Sequence, residues 1–181
     1  MAVTIHAYTR DARLAATVGT DGRLIDLLGM SDTLVLENCV TMPHGSSVRH
    51  LEPHQSVEVD DLLLVVAPPG TVTPVHAAWH SLSVCVGPYI VRGELPSLPG
   101  FDPNRALARP SGPFILLGNV TVEAPDSHLG VEPDGHAFAW VNRYAVEAVE
   151  AVESDIELGF FFPGAMETRA TDARTGAPIG V

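Results

Sequence analysis

Arg92, Arg105 and Arg109 form the densest basic group in this 181-residue chain. A guanidinium presents a planar fork of donors that fits a carboxylate or a phosphate, so the group is a candidate anion site. The chain carries 22 acidic residues, and pairing with them competes directly with that use. Eight histidines raise the question of a metal. His76 and His80 stand four apart, a spacing that brings two imidazoles together on a helix but not on a strand. His44, His50 and His54 share one stretch, and His128 and His136 another. No third ligand stands at a diagnostic interval, so the expectation is solvated loop histidines, with no metal and no cofactor; a metalloenzyme built on the loop histidines is the second alternative. Cys39, within Leu-Glu-Asn-Cys-Val, reads as a small core residue. The sequence has no Gly-x-Ser-x-Gly elbow, no phosphate-binding glycine loop and no His-Glu-x-x-His pair, so no catalytic residue is assigned and the protein reads as non-enzymatic. Phe160, Phe161 and Phe162, followed by Pro163 and Gly164, are the apolar feature best placed to meet another chain.

The residues that would position these groups belong to a chain rich in turns. Fifteen prolines and 16 glycines, with 46% hydrophobic residues, point to an all-β protein with many reversals and few helices. A net charge of −12 argues against a general affinity for nucleic acid or anionic membrane, which depends on surplus basic side chains. Two cysteines make no disulfide framework, the N-terminus lacks a basic head followed by an apolar core, and the longest apolar run, Leu62 to Pro69, is too short to span a bilayer. The expectation is a cytoplasmic protein with no membrane partner.

Along the chain, Val3 to Tyr8 and Arg13 to Val18 alternate as strands, Leu24 to Met30 has helical spacing, and Leu34 to Val40 reads as a strand. Pro43 to Pro53 reads as an exposed loop, and strands at Val57 to Val66 close a first unit. Pro68, Pro69, Gly70 and Pro74 are the clearest break. Beyond it, strands are expected at Ser83 to Val86, Tyr89 to Leu95, Phe114 to Val122, Phe138 to Val141 and Ala145 to Val152. A constant step of 81 positions carries Tyr8 onto Tyr89, Leu14 onto Leu95, Gly19 onto Gly100, Leu36 onto Leu117, Asn38 onto Asn119 and Val65 onto Val146. The chain therefore reads as one unit written twice: residues 1–68, a linker at 69–81, residues 82–162, and a tail at 163–181.

The run Leu34 to Val40 (LVLENCV) resembles the third-strand segment of the Sm and LSm proteins. Tyr89 to Leu95 (YIVRGEL) and Leu116 to Val122 (LLGNVTV) are similar to the second and third strands of that family. Asn142-Arg143-Tyr144-Ala145-Val146 resembles the closing motif of its bacterial, Hfq-like branch. The resemblance implies two tandem small Sm-like (SH3-like) β-barrels forming a covalent pseudo-dimer, and assembly through barrel edges into a homo-oligomer, possibly a ring. It implies RNA contact at Asn142, Arg143 and Tyr144, with arginine donating hydrogen bonds and tyrosine stacking on a base. The acidic balance opposes that use. The leading expectation is a self-assembling β-barrel protein with a binding or scaffolding role, and the first alternative is an Sm-like RNA-binding ring.

Overall fold

The computed structural model describes residues 1–71, 77–97, 112–124 and 133–151. The described chain is all-β apart from one short helix and two 3-10 turns. In order it forms β1 (Ala2–Tyr8), β2 (Ala12–Gly19), α1 (Leu24–Met30), β3 (Thr33–Pro43), β4 (His50–Glu58), a 3-10 turn (Val59–Asp61), β5 (Leu64–Val66), β6 (Ala78–Val86), β7 (Tyr89–Ser97), β8 (Phe114–Glu123), β9 (Asp134–Asn142), a second 3-10 turn (Arg143–Ala145) and β10 (Val146–Ala151). All ten strands join one open antiparallel sheet, in the order β10-β6-β7-β8-β9-β5-β1-β2-β3-β4.

Local sequence accounts for most of these elements. In β2, Ala12, Leu14, Ala16 and Val18 are buried while Arg13, Ala15 and Thr17 alternate between them, the period of a strand with one covered face. α1 buries Leu24 and Leu28, one turn apart, and Arg23 clasps Asp26 through two 2.8 Å bonds across its first turn. Gly87 and Pro88 form a two-residue turn between β6 and β7; Gly87 has φ of +54°, as a hairpin of that length requires.

The two halves repeat one plan. In each, the first strand pairs with the last, β1 with β5 and β6 with β10, and the second strand meets a bulged third strand. Both bulges hold an asparagine in left-handed conformation, Asn38 at φ 50° and Asn119 at φ 48°, where asparagine is one of few tolerated side chains. Leu36 and Leu117, two residues before them, are fully buried.

The repeat is not gapless, which corrects the constant step of 81. Ladder registers carry Leu14 onto Val91 (77 positions), Leu36 onto Leu117 (81) and Val57 onto Val141 (84). Tyr89 therefore corresponds to Ala12 rather than Tyr8, Leu95 to Val18 rather than Leu14, and Val146 to Leu62 rather than Val65. The extra residues fall in the connections, where length is tolerated, while a slip inside a strand would turn its buried face outward. Two further expectations change. β4 begins at His50, inside the stretch read as a loop, because its first five residues are all exposed and show no alternation. β6 begins at Ala78, inside the stretch read as linker.

The described residues form two apolar cores. Ile5, Leu14, Leu36, Leu62 and Val65 belong to the first, with Phe114 and Trp140 entering from the second half. Leu82, Val84, Val91, Leu117 and Val141 belong to the second, with Tyr8, Leu63 and Leu64 entering from the first half. Successive residues of β5 point to opposite faces, so Leu64 serves one core and Val65 the other.

Candidate functional site: the junction between halves and the open edges

The halves meet where β9 pairs with β5, placing Leu64 opposite Val141, Val65 opposite Trp140 and Val66 opposite Ala139. The ladder is extended by the Asn142 N–H donating to the Leu63 carbonyl at 2.9 Å and the Ala67 N–H to the Phe138 carbonyl at 3.1 Å. Asn142 seals this seam. It is 2% exposed, its Nδ2 donates to the carbonyls of Leu62 (3.2 Å) and Asp60 (3.4 Å), and its Oδ1 accepts the Tyr144 N–H at 3.1 Å. One side chain thus satisfies main-chain groups on both sides of the seam.

A polar cluster lies beside it. The Tyr8 hydroxyl donates to Asp134 Oδ2 at 3.0 Å and sits 2.7 Å from His136 Nε2, while Arg13 binds the same Asp134 oxygen at 2.8 Å. A phenol has one proton, and with that proton given to Asp134 the contact is made by His136 Nε2–H donating to the Tyr8 oxygen. The Tyr89 hydroxyl donates to the Thr9 carbonyl at 2.8 Å and lies 2.6 Å from His44 Nε2, the same arrangement again. The two phenol rings meet edge to face with centroids 5.4 Å apart. Burial, reinforced by the charge of Asp134, pushes the Tyr8 phenol far above its ordinary range. Burial holds the His136 imidazole below its ordinary value; Asp134 opposes this, and His6 and Arg13 add to it.

The residues singled out from the sequence disperse. Arg92 is ion-paired with Glu123, the competing use foreseen for it, and Arg105, Arg109, Phe160, Phe161 and Phe162 lie outside the described residues. Arg143 and Tyr144 occupy the second 3-10 turn; the guanidinium lies 5.4 Å from the centre of the Tyr144 ring, which is exposed. Asn142, their neighbour, is buried in the seam and does not face outward with them. His44 and His136 are not solvated loop residues, because each is bonded to a buried tyrosine. His76 and His128 lie outside the described residues, and among those described no three His, Cys, Asp or Glu side chains converge as metal ligands. Cys39 is fully buried, and burial raises its thiol above the ordinary value. Tyr8 and Tyr89 were legible only as repeat positions; nothing in their spacing signals that their hydroxyls meet histidines 128 and 45 residues away.

Among the described residues the sheet ends at β4 and β10, each paired along one side only, with β3 and with β6. β4 occupies in the first half the place of β9 in the second, and β10 the place of β5. The open edges are therefore of the same two kinds that meet at the seam. In an antiparallel ladder alternate residues face alternate neighbours. Asn142, Trp140 and Phe138 turn their main chain toward β5, so their counterparts Glu58, Ser56 and His54 turn theirs to the open side of β4. At the position of Asn142 the free edge carries Glu58, whose carboxylate cannot donate to a carbonyl.

No family model, curated protein or solved structure matches the chain. No helix among the described residues is long and apolar enough to cross a membrane.

Proposed function

We propose that the protein is a non-enzymatic, self-assembling β-module, built of two tandem Sm-like small barrels, which forms a homo-oligomeric scaffold by pairing β10 of one copy with β4 of the next. The observation that supports this most directly is the internal seam, where a β4-type edge already pairs with a β5-type edge. Repeating that register between copies sets Ala148 opposite Val57, Val149 opposite Ser56, and Glu150 opposite Gln55 of the neighbour. The contact is head to tail, so it closes into a ring when the rotation per copy permits and otherwise extends. An exposed strand edge is a ready template for such pairing.

Light scattering at two protein concentrations tests the reading. The expected mass is a multiple of the 19.2 kDa chain that rises with concentration or is already a closed particle. Ser56→Pro removes one outward N–H from an edge strand while leaving the β3 ladder intact. It is expected to give a monomer with an unaltered far-ultraviolet circular dichroism spectrum. A wild-type chain that stays monomeric at both concentrations would refute edge pairing.

The alternative, an Sm-like RNA-binding ring, is supported by the exposed stack of Arg143 on Tyr144. It predicts salt-sensitive RNA retention that Arg143→Ala abolishes, and the −12 charge weighs against it.

A further inference from the structure

The connection between β3 and β4 closes a pocket of about 330 Å³ whose polar lining is Arg13, His44, Ser46, Ser47 and Arg49, over an apolar floor of Met42 and Pro43. Among the described residues no carboxylate lines it, in a chain where acidic residues outnumber basic ones by 22 to 10. The contrast with the neighbouring groove of about 680 Å³ is sharp, since Asp11, Glu58, Asp60 and Asp61 line that one against the single cation of Arg10.

The basic pocket is also held in shape from behind. Arg13 is fixed by its 2.8 Å bond to Asp134, and His44 by its 2.6 Å contact with the buried Tyr89 hydroxyl. The His44 N–H donates to the Asp11 carbonyl at 3.1 Å, and Ser46 folds the loop by accepting the Val48 N–H on Oγ at 3.1 Å. That bond uses an acceptor site of the Ser46 hydroxyl and leaves its proton able to donate. Asp134 faces Arg13 from β9 and offsets part of its charge, which leaves Arg49, exposed at the rim, as the main source of attraction.

We propose that this pocket binds a small phosphate-bearing anion. The Arg49 guanidinium and the two serine hydroxyls, beside an Arg13 already engaged by Asp134, supply more donors than a single carboxylate can accept, and they suit the several oxygens of a tetrahedral oxyanion. The volume lies at the low end for ligand sites, which suits a phosphomonoester or free phosphate rather than a polymer. The Met42 and Pro43 floor gives the organic part of a phosphomonoester an apolar surface to cover.

Isothermal titration of the full chain at constant ionic strength tests this, with inorganic phosphate and glucose 6-phosphate as probes and chloride as the control. Saturable one-site binding is expected for the phosphate probes and none for chloride. Arg49→Ala is expected to weaken binding about tenfold, the loss of one charge-assisted contact, and Ser46→Ala with Ser47→Ala to weaken it further. Ser46, Ser47 and Arg49 are exposed loop residues, so the variants keep the native circular dichroism spectrum. Tighter binding of glucose 6-phosphate than of phosphate supports an organic ligand, and equal binding supports the free oxyanion. Absence of saturation up to about 10 mM of both phosphate probes, or affinity unchanged by Arg49→Ala, overturns the proposal.

Discussion

His136 and Asn142 show how much a single side chain in β9 contributes to this fold. Burial lowers the His136 pKa from the ordinary 6.5, so the folded state prefers the neutral ring. The unfolded chain then binds the proton more readily, and stability present above about pH 6.5 is lost as the pH falls through the folded-state value. Chemical denaturation at a series of pH values is expected to show this loss below pH 6.5, and His136→Gln, which keeps a donor to Tyr8, to flatten it. Equal slopes in wild type and variant would refute the assignment. Asn142→Ala removes a buried amide and strands the carbonyls of Asp60 and Leu62. The expected cost is roughly 2–3 kcal/mol, read from the midpoint of urea unfolding. Asn38 and Asn119 were visible in the sequence only as equivalent positions in LEN and LGN; their left-handed conformation, which few residues other than glycine hold, emerged from the structure.

Among the elements, the two edge strands matter most. β9 buries its last four residues because β5 covers it, whereas β4, its counterpart, leaves most of its length exposed. The pairing register that joins β9 to β5 would set Glu58 of one copy beside Glu147 of the next, where the internal seam has Asn142 beside Leu63. Two carboxylates at that point oppose association and no amide spans the gap. Glu58→Asn is expected to tighten self-association several-fold, measured by sedimentation equilibrium. An unchanged or weaker association would argue against this register. β4 was also the strand least legible in advance: of its nine residues only Val57 is buried, so no alternation marks it.

At the scale of the whole molecule, each core borrows residues from the other half: Phe114 and Trp140 fill the first, and Tyr8, Leu63 and Leu64 the second. Neither half therefore completes its own interior. Calorimetry is expected to record one cooperative unfolding transition, and Leu64→Ala, at a fully buried site, to lower it as a unit by about 2–5 kcal/mol. Two separable transitions, only one of them shifted by Leu64→Ala, would show that the halves unfold independently.

The amino-acid sequence by itself determined the all-β class, the helix at Leu24–Met30, the twofold repeat of strands and the equivalence of Asn38 with Asn119, since each depends on side-chain pattern within a few residues. Only the tertiary structure decided the steps of 77, 81 and 84, the single continuous sheet, the seam at β9 and β5, and the tyrosine–histidine pairs. Loop length carries no periodic signal, and contacts between residues far apart in the chain arise from the closing of the sheet rather than from local spacing.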